Sequence, residues 1–408
     1  MPSDRQILRE LIKPYLEIAH LPVQRQRVRQ YRDLNSLRST RPVVLLDELP
    51  WHELNGDGFL TLRCQDAFCR DIEQFLRRAL YKWRLPSDML VLPEIPYPRA
   101  IRIGDIGVAV RETTLSVDPG NNIVSHAYQD CLSTMDQLEA LHVPTVEIDE
   151  EADRRNLERA AELFGDLVPL RLTGYMNHFA PWDNIAMWRG VGPLLTDLVE
   201  RPDFMHQTME RLVTIQLALL EKLEALNALE AHAELVHCTP AYADELPGPG
   251  FNPDHVTRAD QWGRGTAQIF ASVSPAMHEE FEIAYMRRFF RGSGLVYYGC
   301  CEPLHRKMDI VKTLPNLRKV SVTPWADVRM CAEAMGPGYV LSRKPNPAAV
   351  AVPSLDRTAL ARDIEETLAI CRETGTPCEF ILKDISTCAG NPQNLYDWGR
   401  TVMDVVGG

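Results

Sequence analysis

The sequence predicts an α/β fold: a (β/α)8 TIM barrel with an N-terminal helical extension and loop insertions. Three observations carry this reading. Short β-rich runs recur along the chain, each ending in polar, Gly or Pro residues; longer amphipathic stretches separate them; and eight such runs can be counted, the strand number of that barrel. With 408 residues, the chain is long enough for one barrel with additions, since such units commonly reach about 250 residues or more. The division expected is an extension over 1–40 and the barrel over 41–408.

In chain order the expected strands are Val43 to Leu46, Met89 to Leu92, Val168 to Thr173, Glu234 to Cys238, Leu295 to Gly299, Lys319 to Thr323, Gly338 to Ser342 and Glu379 to Lys383. Their Val, Ile and Leu content suits strands buried on both faces. Between Phe204 and Leu226, Met205, Met209, Leu212, Val213, Leu220 and Leu223 recur at three- and four-residue steps opposite His206, Glu210, Glu221 and Glu224, which is a helix with one apolar face. Thr358 to Cys371 repeats the pattern with Leu360, Ile364, Leu368 and Cys371, and Gly375 supplies a stop. Residues 1–40 read as one or two amphipathic helices. Ile101 to Val117 reads as a hairpin excursion, and Pro240 to Asp254 as a long loop.

Composition narrows the function classes. The 44 Lys and Arg stand against 56 Asp and Glu, a formal charge of −12, the wrong balance for a protein that neutralises nucleic-acid phosphates. No apolar window approaches the ~20 residues a membrane span needs, and the charged N-terminus offers no signal-peptide core, so a cytoplasmic protein without membrane contact is expected. Ten cysteines in a chain of this length form no disulfide framework, and most read as small buried hydrophobes.

Barrel active sites form where strands end, so the residues following each run are the candidates. They include Glu48 and Trp51 after the first run, Tyr97 after the second, His178 and Trp182 after the third, and His237, Tyr242, Asp244 and Glu245 at or after the fourth. Cys300, Cys301 and Glu302 follow the fifth; Trp325, Arg343, Lys383 and Asp384 follow the last three. Carboxylates at strand ends also cap helices, so each has a structural reading beside the chemical one. Two adjacent thiols and a carboxylate serve packing poorly. One of Cys300 and Cys301 is expected to enter the pocket while the other packs, and a thiolate there suits zinc or another divalent ion. His237 is either a ligand or a core histidine; Asp244 and Glu245 are ligands, a general base, or a solvated turn. Arg343 and Lys383 bind a substrate carboxylate or pair with Asp384 and Glu302.

The order of segments resembles the uroporphyrinogen decarboxylase superfamily, whose other main branch is the cobalamin-linked methyltransferases. The resemblance covers roughly residues 40 to 406 and rests on RPVVLLDELPW, on the helical block TGYMNHFAPWDNIAMWRGVGPLLTDLVERPDFMHQTMERL, and on LVYYGCCEPLH, LRKVSVTPWADV, GYVLSRKPNP and EFILKDIST. The decarboxylase branch implies arginines after the first strand for a polycarboxylate; here that loop carries Asp47, Glu48 and Glu53, which would repel it. The methyltransferase branch implies zinc held by a His-x-Cys after the fifth strand and a Cys after the eighth. Here Gly299, or Tyr298 in the other register, replaces the histidine, and Asp384, Ser386 or Cys388 stands near the last position.

The resemblance therefore implies a metal-dependent methyltransferase that moves a methyl group from a small methyl ether or methylamine to a corrinoid. Its ligands would come from Cys300, Cys301, Glu302 and His237, and its acid–base groups from Asp244, Glu245, Glu302 and Asp384. Glu48, Trp51, Tyr97, His178, Trp182, Tyr242, Trp325, Arg343 and Lys383 would line the substrate, the aromatics by stacking or cation–π contact. The expected cofactors are zinc or another divalent metal, with cobalamin as acceptor, on a separate corrinoid protein or free; a homodimer is compatible with this. Two other readings stay open: a decarboxylase or lyase on a small carboxylic acid, and a non-catalytic barrel that binds a corrinoid or tetrapyrrole.

Overall fold

A computed structural model describes residues 2–116, 124–230 and 235–407. Its strands are β1 (Val43–Leu46), β2 (Ile95–Pro98), β3 (Ile101–Ile103), β4 (Glu112–Leu115), β5 (Ser125–Tyr128), β6 (Val146–Ile148), β7 (Leu170–Thr173), β8 (His178–Phe179), β9 (Trp262–Gly265), β10 (Leu295–Tyr298), β11 (Leu317–Val322), β12 (Val340–Arg343) and β13 (Cys378–Leu382). Seven form one sheet in the order β1-β13-β12-β11-β10-β9-β8, with every neighbouring pair parallel. β2 and β7 form a separate parallel pair. The fold is α/β, and its ladder does not close: β1 and β8 are the edges of the large sheet. Beyond β1 the chain is tied by Asp88, whose amide donates to the Val44 carbonyl at 2.7 Å and whose carboxylate accepts from the Val44 amide at 2.9 Å.

Runs one, three, five, six, seven and eight lie on strands, with ends shifted by up to two residues. Two do not. Met89 to Leu92 forms no strand, and the strand is β2, which begins six residues later. Glu234 lies outside the described residues, and Leu235 to Cys238 is a turn held by a Val236–Thr239 bridge; β9 takes the place in the sheet instead. The sequence WGRG has no β-branched residue, yet Gly263 and Gly265 are what the position requires. A Cβ on them would meet the Phe290 ring at 2.8 and 2.7 Å respectively, so only glycine lets the helix Ala284–Phe290 pack this closely. Ile101 to Val117 is also not one hairpin: β3 pairs with β6 and β4 with β5, and Val117 is outside the described residues.

The helices follow the apolar periodicity. Pro202–Ala225 buries Met205, Met209, Leu212, Val213, Leu220 and Leu223, and Arg357–Thr374 stops at Gly375. Two helices, Asp4–Ala19 and Pro22–Asn35, occupy the N-terminal segment; a Ser3/Gln6 capping box starts the first. The stretch Pro240–Asp254 has neither helix nor strand. All ten cysteines are free thiols. Among the described residues, no helix is long and apolar enough to cross a membrane.

Alternation along the strands separates two cores. Val44, Leu46, Val296, Tyr298, Val320, Val322, Leu341, Phe380 and Leu382 pack against the helices. Their neighbours face the other side, where the segment Val236–Leu246 fills the space. There Cys238 packs with Tyr31, Val43, Leu45, Val340 and Ile381, while Val236, Ala241, Ala243 and Leu246 pack with Trp262, Leu295 and Tyr297. A polar layer crosses this inner face: Lys319 pairs with Glu379 at 2.9 Å, and Glu379 also accepts from Ser342 at 2.6 Å and from Thr239 at 2.9 Å. Asn35, fully buried at the end of the second helix, donates to the carbonyls of Pro240 and Tyr242 and anchors the same segment from below.

Candidate functional site

Six side chains meet beyond the ends of β1, β10 and β13. Lys383, the residue after β13, is buried, and its Nζ stands 3.6 Å from Cys300 Sγ, 3.3 Å from His237 Nε2, 3.1 Å from Asp384 Oδ2 and 3.4 Å from Glu48 Oε2. Cys300 Sγ lies 3.6 Å from His237 Nε2 and 3.7 Å from Cys301 Sγ, and the Cys301 thiol donates to Asp384 Oδ2 at 3.5 Å. Cys300 and Lys383 are buried, whereas Cys301, Asp384 and Glu48 form an exposed rim.

The backbone is bent to bring them together. Glu48, His237 and Asp384 have φ of 49°, 58° and 56°, a region costly for residues with a Cβ and often found where function fixes the conformation. Gly299 turns the chain after β10 at φ 92°, and a Cβ there would fall 2.7 Å from Leu304 Cδ1. The turn places Cys300 on the inner side and leaves Cys301 outside.

Charge is unevenly shared. A hydrogen bond from Cys301 lowers the Cys300 thiol to about 7, with help from Lys383 and Arg264 against the opposing effect of burial. Cys301 is pushed upward by the same bond. Burial opposes the charge on Lys383, but Cys300, Asp384 and Glu48 outweigh it and raise its pKa. Burial, then the Arg264, Lys344 and Lys383 charges, hold His237 far below its ordinary value, so its ring is neutral. Burial and Asp384 push Glu48 up. At Asp384, burial is outweighed by the bond to Glu48 and by Lys383, which hold it below the usual range. The two carboxyls are thus pushed apart, Glu48 holding a proton more readily than Asp384.

A cavity of about 390 Å³ opens beside His237, lined by Pro96, Arg171, Met176, His178, Glu230, Val236, Trp262 and Arg264 among others. Although the His178 residue is exposed, the surrounding protein and the Arg264 charge depress its imidazole to about 4. A second, shallower cavity of about 490 Å³ is lined by Glu48 with Asp47, Trp51, Arg78 and Lys82; Glu48 does not line the first. Arg78 lies over the Trp51 ring at 5.0 Å.

Several expected site residues are elsewhere. Glu302 is fully buried, and its carboxylate accepts from Thr266 Oγ1 at 2.8 Å, from the Ala267 amide at 3.1 Å and from the Cys300 amide at 2.9 Å, bracing the turn. Asp244 is paired with Arg38 and Glu245 with Arg318, beside the helix end at Asn35 and the start of β11, at the opposite end of the strands from the cluster. Trp182 is a core residue, fully buried, with its indole donating to the Phe281 carbonyl at 3.2 Å. Tyr97 packs on Phe68, on the helix side of β2, because the strand begins later than expected and Pro96 takes the inner face. Arg343 points outward to Asp363 at 3.7 Å, leaving the inner position to Lys344. Tyr242 belongs to the inner segment below the cluster. Trp325 is 67% exposed just beyond β11.

Arg264, Arg171 and Glu230 were not among the expected site residues. Arg171 lies on β7 and bonds Glu94 at 2.7 Å and Glu230 at 3.0 Å. Arg264 sits on the strand whose glycines hid it; its one signal is a lone arginine between two glycines after a tryptophan. Among the described residues, no group of three or more His, Cys, Asp or Glu side chains is arranged to hold a metal ion.

No family model and no curated protein matches the chain. Among solved structures, a methyltransferase from Methanosarcina mazei is similar over 92% of this chain and 97% of its own, with a TM-score of 0.50 and 12% sequence identity. At that identity the two share a fold.

Proposed function

We propose that this chain is a methyltransferase on a (β/α)8 barrel, acting on a small methylated compound, an ether or an amine, held beside His237. The large sheet and the β2–β7 pair would be its staves, β7 and β8 being one bent strand. The observation that carries the reading is the cluster itself. Two carboxyls of unequal acidity, Glu48 and Asp384, a buried cation and a thiol poised near neutrality stand at the C-terminal strand ends beside a small-molecule cavity. The similarity to a fold used by a methyltransferase supports the reaction class.

As arranged, these residues do not fit the zinc ion that the family resemblance implies. The Lys383 ammonium stands against both His237 Nε2 and Cys300 Sγ, where it would oppose a bound cation, and among the described residues no group of three or more His, Cys, Asp or Glu side chains is arranged to hold one. On this reading the leaving group is activated by a proton. Glu48 donates it to the ether oxygen as the carbon–oxygen bond breaks, Asp384 and Lys383 keep that proton in place, and the methyl carbon accepts an electron pair from an external nucleophile. A corrinoid is the acceptor we favour, on a separate protein or free. A corrin ring exceeds a cavity of about 390 Å³, so it would meet the methyl group at the mouth.

The test is to mix purified protein with cob(I)alamin and a panel of methoxyarenes and methylamines and follow the cobalamin spectrum. Methylcobalamin should form with one donor class, persist in the presence of a chelator, and slow by at least about tenfold in Glu48→Gln. Carbon dioxide release from a small acid, with no methyl transfer from any donor, would replace this reading with a lyase.

A further inference from the structure

Among the described residues Arg264, Lys307 and Lys344 are buried cations without an ion pair; Lys307 donates to the Phe270 carbonyl and Lys344 to Tyr297 and Ser342, whereas Arg264 lines the cavity beside His237. It is 5% exposed, and Arg77, Arg189 and Lys319 are comparably buried. Each of those three holds a carboxylate: Glu73 at 2.7 Å, Asp197 at 2.6 Å and Glu379 at 2.9 Å. No carboxylate among the described residues forms an ion pair with Arg264. Its Nη1 donates to the neighbouring Gly265 carbonyl, its guanidinium lies 5.2 Å from the centre of the Tyr297 ring, and its Nε has no partner. Asp183 and the Cys300 thiol feel its charge without bonding to it. A buried guanidinium pays a large desolvation penalty that an aromatic face only partly offsets, so the fold holds it in a state that an incoming anion would complete.

The surroundings specify the anion. Arg264 lines the cavity of about 390 Å³, whose walls beside it are Pro96, Met176, Val236 and Trp262. The cavity's other guanidinium, Arg171, is held by Glu94 and Glu230, so Arg264 is the forked cation left to an incoming anion, and the apolar wall beside it suits a flat carboxylate on an apolar body better than a free inorganic ion. We propose that Arg264 is the carboxylate anchor of this cavity and that its ligand is a small organic acid with an aromatic or aliphatic body. The acid group would be held at Arg264, leaving the rest of the molecule to extend toward His237 and the Cys300–Lys383 pair. The proposal rests on the cavity and not on the reaction: it holds whether the bound acid loses a methyl group or carbon dioxide.

The experiment titrates the intact protein with benzoate, with benzamide as the neutral probe of the same shape, and with inorganic phosphate, by calorimetry and Trp262 fluorescence. Benzoate should bind at least about tenfold more tightly than benzamide, Arg264→Gln should abolish that preference, and Arg264→Lys should keep part of it. Equal binding of the two probes, binding of neither, tighter binding of phosphate, or an unchanged preference in Arg264→Gln would each overturn the assignment. If Arg264→Gln does not fold, the wild-type comparison and Arg264→Lys decide. Because no turnover is needed, failure of the methyl-transfer assay leaves this result standing.

Discussion

Lys383 Nζ and Cys300 Sγ stand 3.6 Å apart, both buried, on turns that follow β13 and β10. The two residues are 83 positions apart in sequence, and neither strand shows the pairing by itself. An ammonium at that distance favours the thiolate, and Cys301 adds a hydrogen bond, so Cys300 is set near 7 while most other cysteines of the chain are pushed upward by burial.

This pairing predicts a measurable reactivity. In a Cys301→Ser background, which keeps a donor and removes the exposed thiol, the iodoacetamide alkylation rate of Cys300 should rise with pH through an inflection at about 7. Lys383→Met should move the inflection upward by about one unit and slow alkylation at neutral pH by about tenfold. An inflection that stays in place would show that Lys383 does not set the thiol.

Glu302 makes the opposite prediction to the one its sequence position invites. Its carboxylate accepts from Thr266, Ala267 and Cys300, all buried. Glu302→Gln turns one acceptor oxygen into a donor facing backbone amides and should cost about 1–3 kcal/mol in urea unfolding. Any loss of activity should accompany that loss of stability. Unchanged stability with lost activity would return Glu302 to the chemistry.

Glu282 governs a pH dependence. It is fully buried, accepts from Tyr298 Oη at 2.9 Å, and is raised from 4.5 to about 8 by burial, the Tyr298 bond acting in the other direction. The folded state therefore holds a proton that the unfolded chain has released. The stability this contributes is complete below about 4.5 and is lost as pH rises through about 8. Glu282→Gln, which cannot ionise, should flatten the decline in unfolding free energy across that interval. An identical slope in the variant would assign the decline to other groups.

How much of the fold could be read depended on where each strand's stability comes from. β10, β11, β12 and β13 are buried on both faces, and burial demands the Val, Ile, Leu and aromatic runs that mark them in sequence. β9 is selected by space: glycines against Phe290 leave no apolar signature, so the run near His237 took its place in the count. At the site, Cys300, Cys301, His237, Lys383, Asp384 and Glu48 were legible because strand ends collect chemistry. Tyr97 and Arg343 were misplaced because a strand's register decides which face a residue occupies, and one position reverses it.

The sequence by itself determined the α/β class, the helices, the absence of disulfides and the short list from which the cluster is drawn. These follow from local periodicity, burial and composition. Only the tertiary structure decided that Glu302 braces a turn, that Asp244 and Glu245 lie at the far end of the strands, that Lys383 stands against His237 and Cys300, and that Arg264 faces a cavity without an ion-pair partner among the described residues. Each depends on which side chains from distant strands share a few ångströms of low-dielectric space, and sequence spacing carries no record of that distance.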